Sequence, residues 1–270
     1  MTKLVRDLMH GGLITCSKDT SLGQVAVLLT QHHVHGLVVV DRDRRPVGII
    51  TDFDLMAGEW LSADSESLAV MRSLTAGDLM SYPPVTVECT LPLNEAAQHL
   101  IKSDVNRMLV TDQGKMIGVI SSSDFVASIA KSVRLERDSV ADVMSDAILV
   151  CRDKTPVGSA ARAMTTTRYR SVVVVDAQGK PLGVVSEWDL LPLIKNGGVD
   201  EKLLVVDVMH AMLSVDMHAS LREAADLMIQ NHHHRVIVLD KNDPDAFPLG
   251  IVSTYDIVAE MARPGSVWQS

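Results

Sequence analysis

Cysteine is scarce in this chain of 270 residues. The three cysteines include no Cys-x-x-Cys spacing, which excludes a disulfide framework and a cysteine-rich zinc site. Cys16 and Cys151 stand in short apolar stretches, and we interpret them as small core residues.

Long apolar runs and basic clusters are also missing. The start, MTKLVRDLMHGG, lacks the apolar core of a signal peptide, and no apolar run approaches the ~20 residues of a membrane-spanning helix. Lys and Arg number 25 against 34 Asp and Glu, for a formal charge of −9. Because nucleic-acid binding needs clustered basic residues, we expect a cytoplasmic protein with neither a membrane nor a nucleic acid as partner.

The chain contains four copies of one pattern. A first phrase, VRDLM in its first copy, recurs about every 65 residues and contains Asp7, Asp78, Asp142 and Asp207. A second phrase follows each copy of the first: GIITDFD, GVISSSD, GVVSEWD and GIVSTYD, which end at Asp54, Asp124, Asp189 and Asp256. A period this regular indicates a duplicated structural unit.

Each copy has the hydrophobic pattern of a β-α-β-β-α unit. In the first copy the strands are Leu13–Cys16, Leu37–Val40 and Val47–Ile50, and Ser21–Gln31 has apolar residues at helical spacing. The predicted fold class is α/β (α+β), with four tandem repeats at 1–60, 74–130, 138–196 and 203–264.

A single repeat is too small to cover its own apolar strands, so the repeats are expected to pair. Pairing one with two and three with four predicts two pseudo-twofold modules, 1–130 and 131–270. The charged stretch from Ala127 to Val140 would join them, and Ala57–Ala76 would be a connection within the first module.

The second phrase, Gly-apolar-apolar-[Ser/Thr]-x-x-Asp, is the candidate binding motif. It leads a buried strand into a helix N-terminus at Thr51, Ser121, Ser186 and Ser253. A helix N-terminus attracts phosphate through its unpaired N–H groups. The carboxylate three residues later could accept the two hydroxyls of a ribose, so the motif suggests a nucleoside phosphate.

The same spacing is also that of a capping box, in which the two side chains only close the helix end. Ser21-x-x-Gln24 and Ser220-x-x-Glu223 have this form and are assigned no ligand. Duplication would copy a cap as faithfully as a binding site, so both interpretations stay open.

The β-α-β-β-α order, the opening D-[LV]-M and the closing G-h-h-[ST]-x-x-D resemble the cystathionine-β-synthase (CBS) domain, and paired repeats resemble the Bateman module. The resemblance covers essentially the whole chain. It implies binding of adenosine nucleotides, or of S-adenosylmethionine, in clefts between paired repeats, and regulation of a partner protein.

The resemblance also implies a ligand-contacting set: a polar residue on the first strand, a pair before the second strand, and the motif hydroxyl and carboxylate. In the order of the repeats the sets are Thr15, His35, Gly36, Thr51 and Asp54; Thr86, Asn106, Arg107, Ser121 and Asp124; Val150, Arg170, Ser171, Ser186 and Asp189; Ser214, His234, Arg235, Ser253 and Asp256. Repeat three departs most, because Val150 replaces the polar residue. Arg107 and Arg235 could grip phosphates, which favours repeats two and four.

Two further groups of side chains have alternative interpretations. Histidines gather at 32, 33 and 35 and again at 232, 233 and 234, but they lack a tetrahedral ligand spacing, so no metal site is predicted. Phe53, Trp188 and Tyr255 precede motif aspartates. We interpret them as packing residues, with stacking on an adenine as the alternative.

No catalytic motif stands outside the four repeats, so neither an enzyme nor a catalytic cofactor is predicted. The favoured hypothesis is a stand-alone sensor that binds AMP, ADP or ATP and signals to an unidentified partner protein. The alternatives are a structural adaptor without a ligand and an S-adenosylmethionine binder, and an unrecognised enzyme is disfavoured. A homodimer is an open possibility.

Overall fold

The computed structural model describes residues 3–60, 73–130, 139–195, 202–243 and 247–264. Most of the predicted joining stretch after Ala127 and most of the predicted connection after Ala57 lie outside these residues. Within them, every helix is too short or too polar to span a membrane.

The predicted β-α-β-β-α order is confirmed in all four repeats. A short lead turn precedes each: Val5–Asp7, Ala76–Leu79, Val140–Val143 and Val205–Asp207. The strands are β1 His10–Gly11, β2 Thr15–Ser17, β3 Gly36–Val40, β4 Pro46–Thr51, β5 Thr86–Glu88, β6 Arg107–Asp112, β7 Lys115–Ser121, β8 Val150–Arg152, β9 Ser171–Val175, β10 Pro181–Ser186, β11 Ser214–Asp216, β12 Arg235–Leu239 and β13 Gly250–Ser253. The helices are α1 Leu22–His32, α2 Asp52–Trp60, α3 Leu93–Lys102, α4 Ser122–Ala130, α5 Val157–Thr167, α6 Glu187–Lys195, α7 Leu221–Gln230 and α8 Thr254–Ala262.

Each repeat forms its own small sheet with the same topology. The first strand pairs in parallel with the second, and the second pairs antiparallel with the third. The central strands are rich in β-branched residues, as expected for buried strands. Every residue of β9 is buried, for example.

The first repeated aspartates have a structural role in the lead turns. In each repeat, the backbone N–H three residues earlier donates to the carboxylate. The donor and acceptor pairs are Leu4 and Asp7 at 2.8 Å, Thr75 and Asp78 at 2.8 Å, Ser139 and Asp142 at 3.3 Å, and Leu204 and Asp207 at 2.9 Å. The hydrogen bonds from Thr75 lower the pKa of Asp78 below its ordinary value. These aspartates therefore close a turn by capping its first amides.

Each lead turn forms backbone hydrogen bonds with the neighbouring repeat of its pair. Val5 N–H of repeat one donates to the Leu91 carbonyl of repeat two at 2.9 Å, and Ala76 N–H of repeat two donates to the Thr20 carbonyl at 2.8 Å. Repeats three and four exchange their lead turns in the same way. The bonds are Val140 N–H to Ala219 O at 2.8 Å and Val205 N–H to Thr155 O at 2.9 Å.

The chain divides into two compact units that combine alternate repeats. Unit A consists of Met1–Leu13, Val85–Ile148 and Leu213–Ser270, and unit B of Ile14–Pro84 and Leu149–Met212. In unit A, helices α3 and α4 pack on α7 and α8, and in unit B α1 and α2 pack on α5 and α6. These units differ from the consecutive modules 1–130 and 131–270, which remain a prediction.

The physical reason for this division is that the apolar helix faces cover one another. Leu100 and Phe125 of repeat two meet Met228 and Ile257 of repeat four in one fully buried cluster. A second cluster joins buried side chains of repeats one and three, including Leu29 and Met164. Sequence periodicity shows which face of each helix is apolar, but it does not identify the helix that covers that face.

The cysteines lie in or against these clusters, as predicted. Cys16 is 6% exposed, and burial raises the pKa of its thiol to about 11. Cys151 is only partly buried but packs against the same cluster, and burial raises its thiol pKa as well.

The glycine of each candidate binding motif makes room for the lead segment of another repeat, which is the stretch that directly follows a lead turn and contains His10, Ser81, Ser145 or His210. A Cβ added at Gly250 would lie 2.6 Å from the Ser145 carbonyl oxygen, and one at Gly183 would lie 2.7 Å from that of His210. Gly48 and Gly118 face Ser81 and His10 in the same way. The motif begins with glycine because the backbone of another repeat occupies the space that a side chain would need.

Replacing Gly250 with alanine should therefore destabilise the protein. We expect Gly250→Ala to lower the free energy of unfolding by about 1–3 kcal/mol, since the added methyl group meets backbone that cannot move away. Chemical denaturation measures the loss. Gly23→Ala in α1, where no atom lies within 4 Å of the added Cβ, is the control and should be neutral or stabilising. Equal stability changes in the two variants would contradict the steric explanation.

Candidate functional site

The predicted ligand-contacting residues converge at one end of each sheet. The second and third strands bring Arg107 opposite Ser121 in repeat two and Arg235 opposite Ser253 in repeat four. Gly36 lies opposite Thr51 in repeat one, and Ser171 lies opposite Ser186 in repeat three. The structure therefore places the residue before or at the start of the second strand beside the motif hydroxyl in every repeat.

The first strand adds its polar residue next to this end. Thr86 pairs with Leu109, two residues along β6 from Arg107, and Ser214 pairs with Ile237, two residues along β12 from Arg235. Thr15 has the corresponding position in repeat one. In repeat three that position belongs to Val150, as the sequence indicates.

Every motif carboxylate closes its own helix N-terminus. One oxygen, Oδ2, accepts both the backbone N–H and the hydroxyl of the Ser or Thr three residues earlier. The N–H donors to Asp54, Asp124, Asp189 and Asp256 lie at 2.8, 2.7, 2.7 and 2.7 Å, and the hydroxyl donors at 2.7, 2.7, 2.7 and 2.6 Å. The capping geometry is thus present in all four copies, and it uses one carboxylate oxygen.

The second oxygen distinguishes Asp124 from the other three motif aspartates. Oδ1 of Asp124 accepts a hydrogen bond from Nε2 of His10 at 2.7 Å. Asp189 accepts a hydrogen bond from His210 Nδ1 at 2.9 Å, but on the same Oδ2 that serves the cap. Among the described residues, no side chain donates to Oδ1 of Asp54, Asp189 or Asp256. Sequence reasoning missed both histidines, although each follows a lead-segment methionine where the other two repeats have serine.

Unit B holds a cluster of charges at the start of its motif helices. Asp52 is fully buried and Glu187 is 4% exposed. The Arg170 guanidinium lies 3.8 Å from Asp52 Oδ1 and 3.3 Å from Glu187 Oε1, and His35 Nδ1 donates to Asp52 Oδ2 at 2.6 Å. Burial lowers the pKa of Arg170, but the carboxylates of Glu187 and Asp52 outweigh that effect and raise it overall.

The aromatic residues of unit B belong to this cluster. The Arg170 guanidinium lies over the Phe53 ring, 4.8 Å from its centre, in a cation–π contact. The rings of His35 and Trp188 are 4.8 Å apart and tilted by 47°. Phe53 and Trp188 are therefore packing residues, as predicted. For Tyr255 the same interpretation stays a prediction.

Unit A has neutral side chains at the same positions. Ser122 and Thr254 are buried, and their hydroxyls lie 3.0 Å apart. Ser123 Oγ lies 3.0 Å from His234 Nδ1. The two units thus share one architecture around their motif helices. At the first residue of these helices, unit B has the carboxylates of Asp52 and Glu187, while unit A has the hydroxyls of Ser122 and Thr254.

A model of the CBS domain matches residues 5–58, 76–131, 140–196 and 205–263. The chain belongs to the CBS domain family. Four matches confirm the four predicted CBS repeats and cover most of the chain.

Individual relatives support the same fold. A protein from Methanocaldococcus jannaschii has a solved structure with a TM-score of 0.81 and 16% identity, covering 95% of this chain and 99% of that chain. An uncharacterised protein of the same organism is 27% identical over 190 residues, 69% of this chain and 42% of that protein. The chain thus spans less than half of the second relative's length.

A third relative has been solved with a ligand. CBSX2 from Arabidopsis thaliana, crystallised in complex with AMP, is 29% identical and covers 46% of this chain and 94% of that chain, with a TM-score of 0.40.

Within the described residues, no group of three or more His, Cys, Asp or Glu side chains is arranged to hold a metal ion, and this includes the histidine-rich end of the first helix in repeats one and four. His35 and His234 instead make the contacts with Asp52 and Ser123.

Removing Arg170 should destabilise unit B. Arg170→Met would leave Asp52 and Glu187 buried beside each other without a cation, and we expect a loss of about 2–3 kcal/mol in the free energy of unfolding. This is below the value for a fully buried pair, because Arg170 is 33% exposed. Urea denaturation tests this, with the exposed Arg162→Met as control. A loss no larger than that of the control would contradict the role of the cluster.

Asp54 should make stability depend on pH in an unusual direction. Burial raises the pKa of Asp54 above its ordinary value of 3.8, against opposing hydrogen bonds from Thr51 and the charge of Arg170. Its ionisation therefore costs folded-state stability at neutral pH, and this cost disappears as the pH falls through the raised pKa. We expect Asp54→Asn to be more stable than the wild type at pH 7, by a margin that shrinks on acidification.

Asp78→Asn is the control of opposite sign, since the pKa of Asp78 is lowered. It should be less stable than the wild type at pH 7, and this difference should fade as the pH falls through the lowered pKa. Thermal unfolding of both variants and the wild type, followed from pH 7 into the acidic range, measures both differences. An Asp54→Asn margin that grows on acidification would contradict the assignment.

Proposed function

We propose that this CBS protein is a sensor that binds adenosine nucleotides at its motif helices, with the principal site at repeat four. The observation that carries the proposal is the state of the Asp256 carboxylate. Its Oδ2 is held by the Ser253 cap, which fixes the side chain, while Oδ1 has no hydrogen-bond donor among the described residues. A carboxylate oxygen oriented in this way can accept the hydroxyls of a ribose.

The surroundings of Asp256 favour an anionic ligand. Arg235 starts the strand opposite Ser253, so its side chain leaves the backbone beside the motif hydroxyl. The N-terminus of α8, a helix of nine residues, contributes its partial positive charge. Ribose and phosphate groups would therefore find complementary partners at one end of one sheet. Ser214, on the neighbouring strand, lies close enough in register to contribute a hydroxyl.

The four repeats differ in how well they suit a phosphate. Repeat two has the same arrangement as repeat four, with Arg107 opposite Ser121. Repeat one has Gly36 at that position, and the burial of Asp54 disfavours its charged form. In repeat three, Arg170 is held by Asp52 and Glu187 and lies one residue before the strand. These differences support the ranking of repeats four and two over repeat one, with repeat three last.

The regulatory part of the proposal follows from the division into units. A ligand changes the packing of repeats only if it binds two arrangements with different affinities. A partner protein that recognises one arrangement would then respond to the nucleotide concentration. The second candidate function is a structural adaptor without a ligand, and the closed caps in all four repeats favour it.

Isothermal titration with AMP tests the proposal, and AMP is the first probe because the relative CBSX2 was crystallised with it. We expect Asp256→Ala to remove one binding event and Asp124→Ala to remove a second, because each substitution deletes the ribose acceptor. Asp207→Ala is the matched control, since it removes a capping carboxylate of the same form from a lead turn. It should leave AMP binding unchanged.

Thermal shift assays with ADP, ATP and S-adenosylmethionine extend the search to the other adenosine ligands. A ligand at 100 times its dissociation constant adds about 2.7 kcal/mol of stability, which is readily visible. Unchanged melting temperatures with AMP and with these three compounds would reject the sensor and favour the adaptor.

A further inference from the structure

Two of the four motif carboxylates already hold a histidine side chain from another repeat. We propose that His10 competes with the ribose hydroxyls for Oδ1 of Asp124, so that the nucleotide site of repeat two is hindered while that of repeat four is open. The inference rests on the proposed function and specifies how its two arginine-bearing sites differ.

The crossing lead segments place these histidines at one register position. His10 pairs with Val119 on β7, and His210 pairs with Val184 on β10. Ser81 pairs with Ile49 and Ser145 with Ile251 at the equivalent positions beside repeats one and four. The backbone therefore offers the same place beside each motif, and the side chain there is histidine twice and serine twice.

Only the histidines reach the carboxylates. The imidazole of His10 donates to Oδ1 of Asp124 at 2.7 Å, and that of His210 donates to Oδ2 of Asp189 at 2.9 Å. No hydrogen bond joins Ser81 or Ser145 to a motif aspartate among the described residues, as expected from the shorter side chain.

The consequence is clearest at Asp124. The Ser121 cap uses Oδ2 and His10 uses Oδ1, so both oxygens of this carboxylate have donors before any ligand arrives. A ribose must displace the imidazole to reach Oδ1 in the direction that His10 occupies. His10 is 79% exposed and can swing into solvent, so we expect the competition to cost only about two- to fivefold in affinity, in the range of an exposed side-chain pair.

His210 is more enclosed, with 27% exposure, but it donates to the capping oxygen Oδ2 of Asp189 and leaves Oδ1 without a donor among the described residues. Repeats two and four have an arginine at the same position and share the neutral hydroxyl pair, so among the described residues the His10 contact is what distinguishes Asp124 from Asp256.

The test uses AMP and protein variants in which one strong site remains. In the Asp54→Ala/Asp256→Ala background, which keeps the repeat-two site, adding His10→Ala should tighten AMP binding two- to fivefold. Ser81→Ala at the equivalent lead position is the control and should not change it. An unchanged or weakened affinity with His10→Ala would overturn the inference.

The reciprocal test transfers the histidine. In the Asp54→Ala/Asp124→Ala background, which keeps the repeat-four site, Ser145→His should place an imidazole beside Asp256 and weaken AMP binding two- to fivefold. Retained affinity in a variant that is folded by circular dichroism would overturn the inference. If Ser145→His does not fold, the His10→Ala result decides.

These outcomes separate the two proposals. Absence of AMP binding in the wild type and in both backgrounds would reject the nucleotide sensor, and the competition would be rejected with it. AMP binding that is indifferent to His10→Ala would reject only the competition and leave the sensor standing.

Discussion

The close approach between each lead segment and the glycine of another repeat is the contact on which the structure depends. It requires a residue without a Cβ at Gly48, Gly118, Gly183 and Gly250, and it ties repeat one to two and repeat three to four by backbone hydrogen bonds. In repeats two and three, the lead-segment residue whose carbonyl faces the glycine is a histidine, and its side chain contacts the motif carboxylate. One steric requirement therefore determines both how the repeats interlock and which side chain a ligand would meet first.

The two compact units show how one architecture accommodates different chemistry. Both pack their motif helices against those of another repeat, yet Asp52, Arg170 and Glu187 occupy this contact in unit B, while Ser122 and Thr254 occupy it in unit A. A buried charged cluster needs every partner, because a missing cation leaves carboxylates without compensation. A pair of hydroxyls satisfies itself and needs no compensating charge.

The motif hydroxyl and carboxylate have two compatible roles. A carboxylate offers two oxygens with about four acceptor positions, and the cap uses only Oδ2. The cap also holds the side chain in one orientation, which reduces the entropy lost when a ligand binds. Capping and the proposed ligand binding are therefore compatible at Asp256, and the choice between sensor and adaptor depends on what reaches Oδ1.

The repeat, the strand and helix order and the capping at Ser21 and Ser220 were predictable from local sequence patterns. The placement of Arg235 opposite Ser253 was expected from the resemblance to the CBS domain. The partner of each helix face, the contact of His10 with Asp124 and the contact of Arg170 with Asp52 were not predictable. Those contacts join residues more than a hundred positions apart or on different repeats. Apolar faces of similar size and shape are interchangeable in sequence, and only their packing in three dimensions decides which of them meet.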